Sequence, residues 1–187
     1  MKTSDKKNEI LDCAQALIQT RGYNGFSYAD ISNIVGIRKA SIHHHFPTKV
    51  DLAIAVVERY RDVFNACLLN INAKQNWISK IKLYAELYQE VLAEDKLCLC
   101  GMLASDMETL PDEVKKVVRG FLSDNADWLT GVLLSNYPKI SKKRLISVAW
   151  QIINCLQGGI MMARILQDPM IFSASCEEMM SQLKHLS

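Results

Sequence analysis

Glycine and proline are scarce in this chain, at eight and four of 187 residues. A strand-rich fold needs frequent tight turns, so this scarcity argues against β-architecture and for long helices. Uninterrupted apolar runs of about 18 residues, the length that spans a bilayer, are missing as well. The longest approach, Val148 to Leu166, contains Gln151, Asn154, Gln157 and Arg164, so no membrane partner is expected. Met1 to Asn8 is polar and lacks the succession of a secretory leader, and the expected location is cytoplasmic. The six cysteines (13, 67, 98, 100, 155 and 176) form no CxxC pair and no zinc-type spacing with histidine, which leaves reduced, mostly packed thiols. There is also no Gly-rich phosphate loop, nucleophile elbow or HExxH. Asp106 and Glu108, two apart on a helix, diverge by about 200° and cannot act as a converging acid and base. Neither an enzyme nor a cofactor is expected.

What is present is helical periodicity. Ile10, Leu11, Ala14, Leu17 and Ile18 make one apolar face, closed by Gly22 in a left-handed cap. Ser27 with Asp30 reads as a capping box before Ile31, Ile34 and Val35, and Gly36 stops that helix after two turns. A third short helix covers roughly Lys39 to His45, with Ile42 and Phe46 on one side. Thr48 with Asp51 opens a fourth, whose stripe Leu52, Val56, Tyr60 and Phe64 runs to about Leu69. Further helices are expected near 76–94, 97–109, 111–136, 141–168 and 174–186, with Pro111 as a first helical residue, Ser141 as a cap, and Ser173 or Ser175 beginning the last. Strand signals are absent, and the expected class is all-α.

Two short helices joined by a Gly-containing turn, Ser27–Val35 and Arg38–His45, fit a helix-turn-helix. Ile31, Ile34, Ile37, Ile42 and Phe46 would lock it together. That leaves Arg38, Lys39, Ser41, His43 and His44 outside, types that bond base edges or phosphates, while small Ala40 permits close approach to a groove. Ser27 at a helix start and Lys49 just past the second helix suit phosphates. Charge supports this weakly: residues 1–65 hold nine Lys/Arg against seven Asp/Glu, and the remainder thirteen of each.

The segment Gly22-Tyr23-Asn24-Gly25-Phe26-Ser27, then Ile31, Val35-Gly36-Ile37 and Ala40-Ser41-Ile42-His43-His44-His45-Phe46-Pro47-Thr48-Lys49, closely resembles the DNA-binding domain of TetR/AcrR-type repressors. The likeness covers about residues 8–52. It implies a homodimer that binds a palindromic double-stranded DNA operator and releases it when a small-molecule effector enters the C-terminal part. The expected domains are then 1–50 for DNA and 51–187 for ligand binding and dimerisation. Two positions depart from the family pattern: His43 stands where Tyr is usual, and Arg38 where Ser or Thr commonly caps the recognition helix.

Further on, Cys98-Leu99-Cys100-Gly101-Met102 through Leu110-Pro111 resembles a Gly-Cys-Leu segment of one branch of that family. Leu156-Gln157-Gly158-Gly159-Ile160-Met161-Met162-Ala163-Arg164 resembles that branch's penultimate helix. The likeness implies pairing of the last two long helices with their symmetry mates, around Cys155, Gly158, Gly159 and Met162. Alternatively, Gly158-Gly159 is a kink inside a monomer core. Trp77, Tyr84, Tyr88, Met102, Met107, Trp128 and Trp150 are candidate pocket-lining residues, although aromatic and Met side chains at helical spacing also simply pack. Cys98 and Cys100 are either thiol sensors, as in some regulators of this kind, or small packed residues. Successive residues of His43-His44-His45 point about 100° apart and do not converge on one metal ion. A helical protein-interaction adaptor without DNA binding is the alternative function.

Overall fold

The computed structural model describes residues 2–73 and 76–186, with side chains from residue 5 onward. Among the described residues the chain forms nine helices and no strand: α1 (Lys2–Arg21), α2 (Tyr28–Val35), α3 (Lys39–His45), α4 (Lys49–Asn72), α5 (Trp77–Ala93), α6 (Leu99–Ser105), α7 (Asp112–Leu134), α8 (Lys142–Ile165) and α9 (Pro169–Lys184).

Local chemistry sets most of the boundaries. Gly22 and Gly36 both adopt positive φ, 76° and 70°, and their N–H groups close α1 and α2 onto Ile18 and Ser32 carbonyls. The Ser27–Asp30 box opens α2. At α4 the Thr48 N–H and hydroxyl reach Asp51 at 2.9 and 2.7 Å, and the Asp51 N–H returns to Thr48 Oγ1. Ser141 caps α8 through the Arg144 N–H.

Several boundaries differ from expectation. Helix α1 begins at Lys2, well ahead of the apolar face that opens at Ile10. Helix α6 spans only seven residues, because Thr109 and Leu110 N–H groups fold back onto the Asp106 carbonyl and turn the chain. Pro111 precedes α7 instead of opening it. The last helix starts five residues early. Helix α8 has already closed at Ile165, with Gln167 at positive φ, and Pro169 begins α9 under the Asp168 cap, since the first helical N–H has no intrahelical partner to lose.

The chain divides into two compact units that do not follow chain order. The first takes residues up to Phe64 together with Cys98–Phe121, and the second takes Asn65–Leu97 with the remainder. Helices α4 and α7 contribute residues to both. In the first unit, Ile10, Ala14 and Ile18 of α1 are fully buried, as are Ile31 of α2, Ile42 of α3 and Leu52 of α4. Ile34 corrects the sequence reading: it is 61 % exposed. The packed stripe of this two-turn helix passes through Ile31 and the partly covered Val35, about 40° apart, and Ile34 lies about 60° to the other side of Ile31.

In the second unit, α8 packs along α9 and also meets α5. Helix α8 is long and apolar enough to cross a membrane by length and composition alone. Here, however, Leu145, Val148, Ala149, Ile152, Ile153 and Leu156 are buried in the unit's core. Gly159 serves the α8–α9 contact: a Cβ there would lie 3.0 Å from the Phe172 ring.

Candidate nucleic-acid interface

Helix α3 buries a single residue, Ile42, and Phe46 just beyond it is likewise covered. Arg38, Lys39, Ala40, Ser41, His43 and His44 are all exposed. One turn-and-a-half of helix thus carries a cationic and hydrogen-bonding surface on one apolar anchor. The turn before it is held from inside by Ser32, whose hydroxyl donates to the Ile37 carbonyl. The turn after it is held by Tyr28, whose hydroxyl lies 2.8 Å from the Phe46 carbonyl and 2.6 Å from that of Thr48. Burial, and then the Asp51 charge, push the Tyr28 phenol up to about 12, so it remains a donor at neutral pH.

His43 packs its ring against Tyr28 at 4.7 Å, and its Nδ1 sits 3.0 Å from the Pro47 carbonyl. A carbonyl can only accept, so Nδ1 is the donor in this contact. Arg38 occupies the N-cap of α3 without a side-chain cap bond. Its guanidinium is exposed, as is the Ser27 hydroxyl region at the start of α2. Hydrogen bonds from the Ser27 hydroxyl and N–H hold the Asp30 carboxyl below the usual carboxylate range.

Lys49 departs from the expected outward pose. Its ammonium donates to the Phe26 carbonyl and lies over the Phe26 and Tyr23 rings, 4.2 and 4.7 Å from their centroids. Burial lowers its pKa, against the opposing pull of Asp106 and Asp30. Lys6 of α1, in contrast, was not singled out by its sequence position. It lines a recess of about 570 Å³ with Arg38, Ala40, Ser41, His44 and His45, and pairs with Glu9 at 2.7 Å. The only sequence signal was the cluster Lys2, Lys6 and Lys7 ahead of the first apolar stripe.

The seven pocket candidates are divided between the two units. Met102 and Met107 belong to the first unit, and Trp77, Tyr84, Tyr88, Trp128 and Trp150 to the second. Tyr84, fully buried, donates to Asn125 Oδ1 at 3.0 Å, contacts the Tyr88 hydroxyl at 3.3 Å and stacks on Trp128. Trp128 in turn donates to Asn72. Trp77 packs on Tyr137 instead. Trp150 is exposed on α8, on the side away from the buried face of Leu145, Val148, Ile152 and Leu156.

Cys98 and Cys100 are buried, and burial drives the Cys100 thiol well above its ordinary range, which suits packing rather than reactivity. Of the residues expected between symmetry mates, Cys155 lines a groove of about 800 Å³ between α8 and α9, Gly158 faces open space and Met162 is 49 % exposed, while Gly159 is used within the chain. Among the described residues no three His, Cys, Asp or Glu side chains gather as metal ligands.

A three-helix head whose third helix projects polar and cationic groups from a single buried anchor, in an otherwise all-helical chain, defines a helix-turn-helix transcription regulator. Residues 10–56 match the family described as bacterial regulatory proteins, tetR family. The structure of a TetR transcriptional regulator from Legionella pneumophila is similar, at 35 % identity and a TM-score of 0.89 over 94 % of this chain and 96 % of that one. The chain belongs to the TetR family. Among characterised relatives, the transcriptional regulator AcuR of Cereibacter sphaeroides is 27 % identical over 54 % of this chain and 49 % of its own length. The biofilm operon negative regulator IcaR of Staphylococcus epidermidis is 33 % identical over 58 % and 59 %. The chain therefore spans only about half to three-fifths of these two relatives.

Proposed function

We propose that this chain is a ligand-responsive repressor that acts in the cytoplasm, binds a palindromic operator as a homodimer and lets go when a small molecule binds. The outward array on α3 above one buried isoleucine carries the reading. Arg38, Lys39, Ala40, Ser41, His43 and His44 enter the major groove, with Ser27 at the flanking phosphates. Lys49 supports the loop beside them and contributes at most a secondary phosphate contact. Residues 1–50 serve DNA, and 51–187 serve ligand binding and dimerisation.

Exposed Ile146, Trp150, Met161, Met162 and Ile165 along α8 favour a second copy of the chain as their cover. Two recognition helices must stand about 34–36 Å apart, or a multiple, to enter successive major grooves on one face of the duplex. An effector that favours another spacing lowers operator affinity by its preference between the two states. The buried Tyr84, Tyr88 and Asn125, with the half-buried Trp128 stacked beside them, form the polar and aromatic cluster best suited to such an effector.

Selection of bound duplexes from random DNA tests the whole reading, and a palindrome is the expected product. Affinity should fall with salt at about −0.9 per phosphate contacted in a log–log plot, and Lys39→Ala should weaken binding and alter that slope or the selected sequence. A flat salt response with no selected sequence would favour the adaptor reading instead.

A further inference from the structure

The loop between α1 and α2, residues 22–27, is gripped from two sides within the first unit. From the α6–α7 turn, the Asp106 carboxylate accepts the Tyr23 N–H at 2.6 Å, and Thr109 Oγ1 accepts from Asn24 Nδ2 at 2.6 Å. From the start of α4, the Lys49 ammonium reaches the Phe26 carbonyl and covers both aromatic rings of the loop. Gly22 allows the approach: with φ at +76°, a Cβ there would stand 2.7 Å from Asp106 Oδ2. Tyr23 and Phe26 are themselves buried, so the loop is seated and not simply draped.

Local stability does not account for an aspartate at this place. Asp106 is the C-cap of α6, and its carboxylate also lies just past the end of α1. Both are negative ends of helix dipoles, where a negative charge is unfavourable. What offsets this is the charge-assisted bond to the Tyr23 N–H and the nearby Lys49 cation, which Asp106 stabilises. The carboxylate therefore belongs to the contact between α6 and the loop rather than to either helix.

We infer that Asp106 is a positioning residue, which through Tyr23 and with Thr109 and Lys49 holds the α1–α2 loop so that α2 and α3 stand in the pose that reads DNA. This rests on the DNA-binding reading above. Helix α6 begins two residues after Leu97, where the chain passes from the second unit into the first. Breaking the Asp106 contact frees the loop without removing any group that touches DNA.

The test uses the full chain and duplexes that the wild-type protein selects from random DNA, together with amide hydrogen exchange at Tyr23. Asp106→Ala should weaken binding about tenfold, equivalent to ~1.4 kcal/mol, with an unchanged salt slope because no phosphate contact is lost. Asp106→Asn keeps an acceptor without the charge and should fall between the two. Tyr23 exchange should quicken in the same order. Thr109→Val preserves shape, should cost about threefold, and decides the matter if Asp106→Ala does not fold. Binding within twofold of wild type in the folded variants, or unaltered Tyr23 exchange, overturns the inference. If the wild-type protein binds no duplex even at low salt, the DNA reading fails and the positioning role with it. The exchange data would then still report whether the Asp106 bond exists, which separates the two failures.

Discussion

Helices α2 and α3 are neighbours of nearly equal length, eight and seven residues, and each buries one isoleucine. Their ends could hardly differ more. Helix α2 is closed by a full capping box at one side and a left-handed glycine at the other. Helix α3 begins on Arg38 with no side-chain cap and ends on Phe46 in extended geometry. Helices this short are marginal on their own, so α3 is held by Ile42, Phe46 and the Tyr28 bonds at its exit, while its first turn is left without a cap. On the proposed DNA-binding reading, the difference teaches where function outweighs stability: the position that would best serve α3 as a cap carries a guanidinium instead.

The largest effects should come from the two anchors. Ile31→Ala and Ile42→Ala should each cost about 2–5 kcal/mol in urea unfolding, through lost burial and a residual cavity. If Ile42→Ala costs under about 1 kcal/mol, α3 is not hung on that residue and the contrast with the self-capped α2 is misdrawn.

Smaller and opposite effects are expected at the caps. Ser27→Ala should lower stability by about 0.5–2 kcal/mol. Arg38→Ser should raise it by up to about 1 kcal/mol by supplying the missing cap, while weakening DNA binding. Paired thermal unfolding and DNA titration would read both signs. A stabilised Arg38→Ser protein with undiminished DNA affinity would mean that Arg38 is idle at the interface.

These elements were legible in the sequence because their signals are local. Capping boxes at Ser27 and Thr48, glycines 22 and 36, and the stripe Ile10 to Ile18 each act within a few residues, and all took their expected places. The all-helical class followed from the same signals. The contacts that were not legible join distant residues: Asp106 to Tyr23 across 83 positions, and Tyr84 to Asn125 across 41. Pro169 was ambiguous because a proline suits the residue after a helix and the first residue of the next equally, and here it does only the second. Lys49 was misplaced outward because its spacing after α3 says where its Cα lies, and only the packed loop says where a four-carbon stem turns. In the second unit, aromatic residues at helical spacing give the same signal for core as for pocket, which is why Trp150 and Tyr84 looked alike and ended in opposite environments.

The smallest effect sharpens the contrast by pH. The Asp30 carboxyl is held below the usual range first by the Ser27 hydroxyl and then by the Ser27 N–H, so its folded pKa lies under its unfolded value of about 3.9. A depressed folded pKa gives stability that is fully present above the unfolded pKa and is lost as pH falls through the folded one. The α2 cap should therefore weaken only in acid, below about pH 4, where protonation weakens the acceptor that Ser27 bonds. Helix α3 has no such cap to lose. Because many carboxylates titrate in this range, the readout is the difference between wild type and Asp30→Asn, whose amide oxygen accepts from Ser27 at any pH. The variant should be slightly less stable at neutral pH and converge with wild type in acid. Parallel curves would show that the box closes α2 by shape, without help from charge.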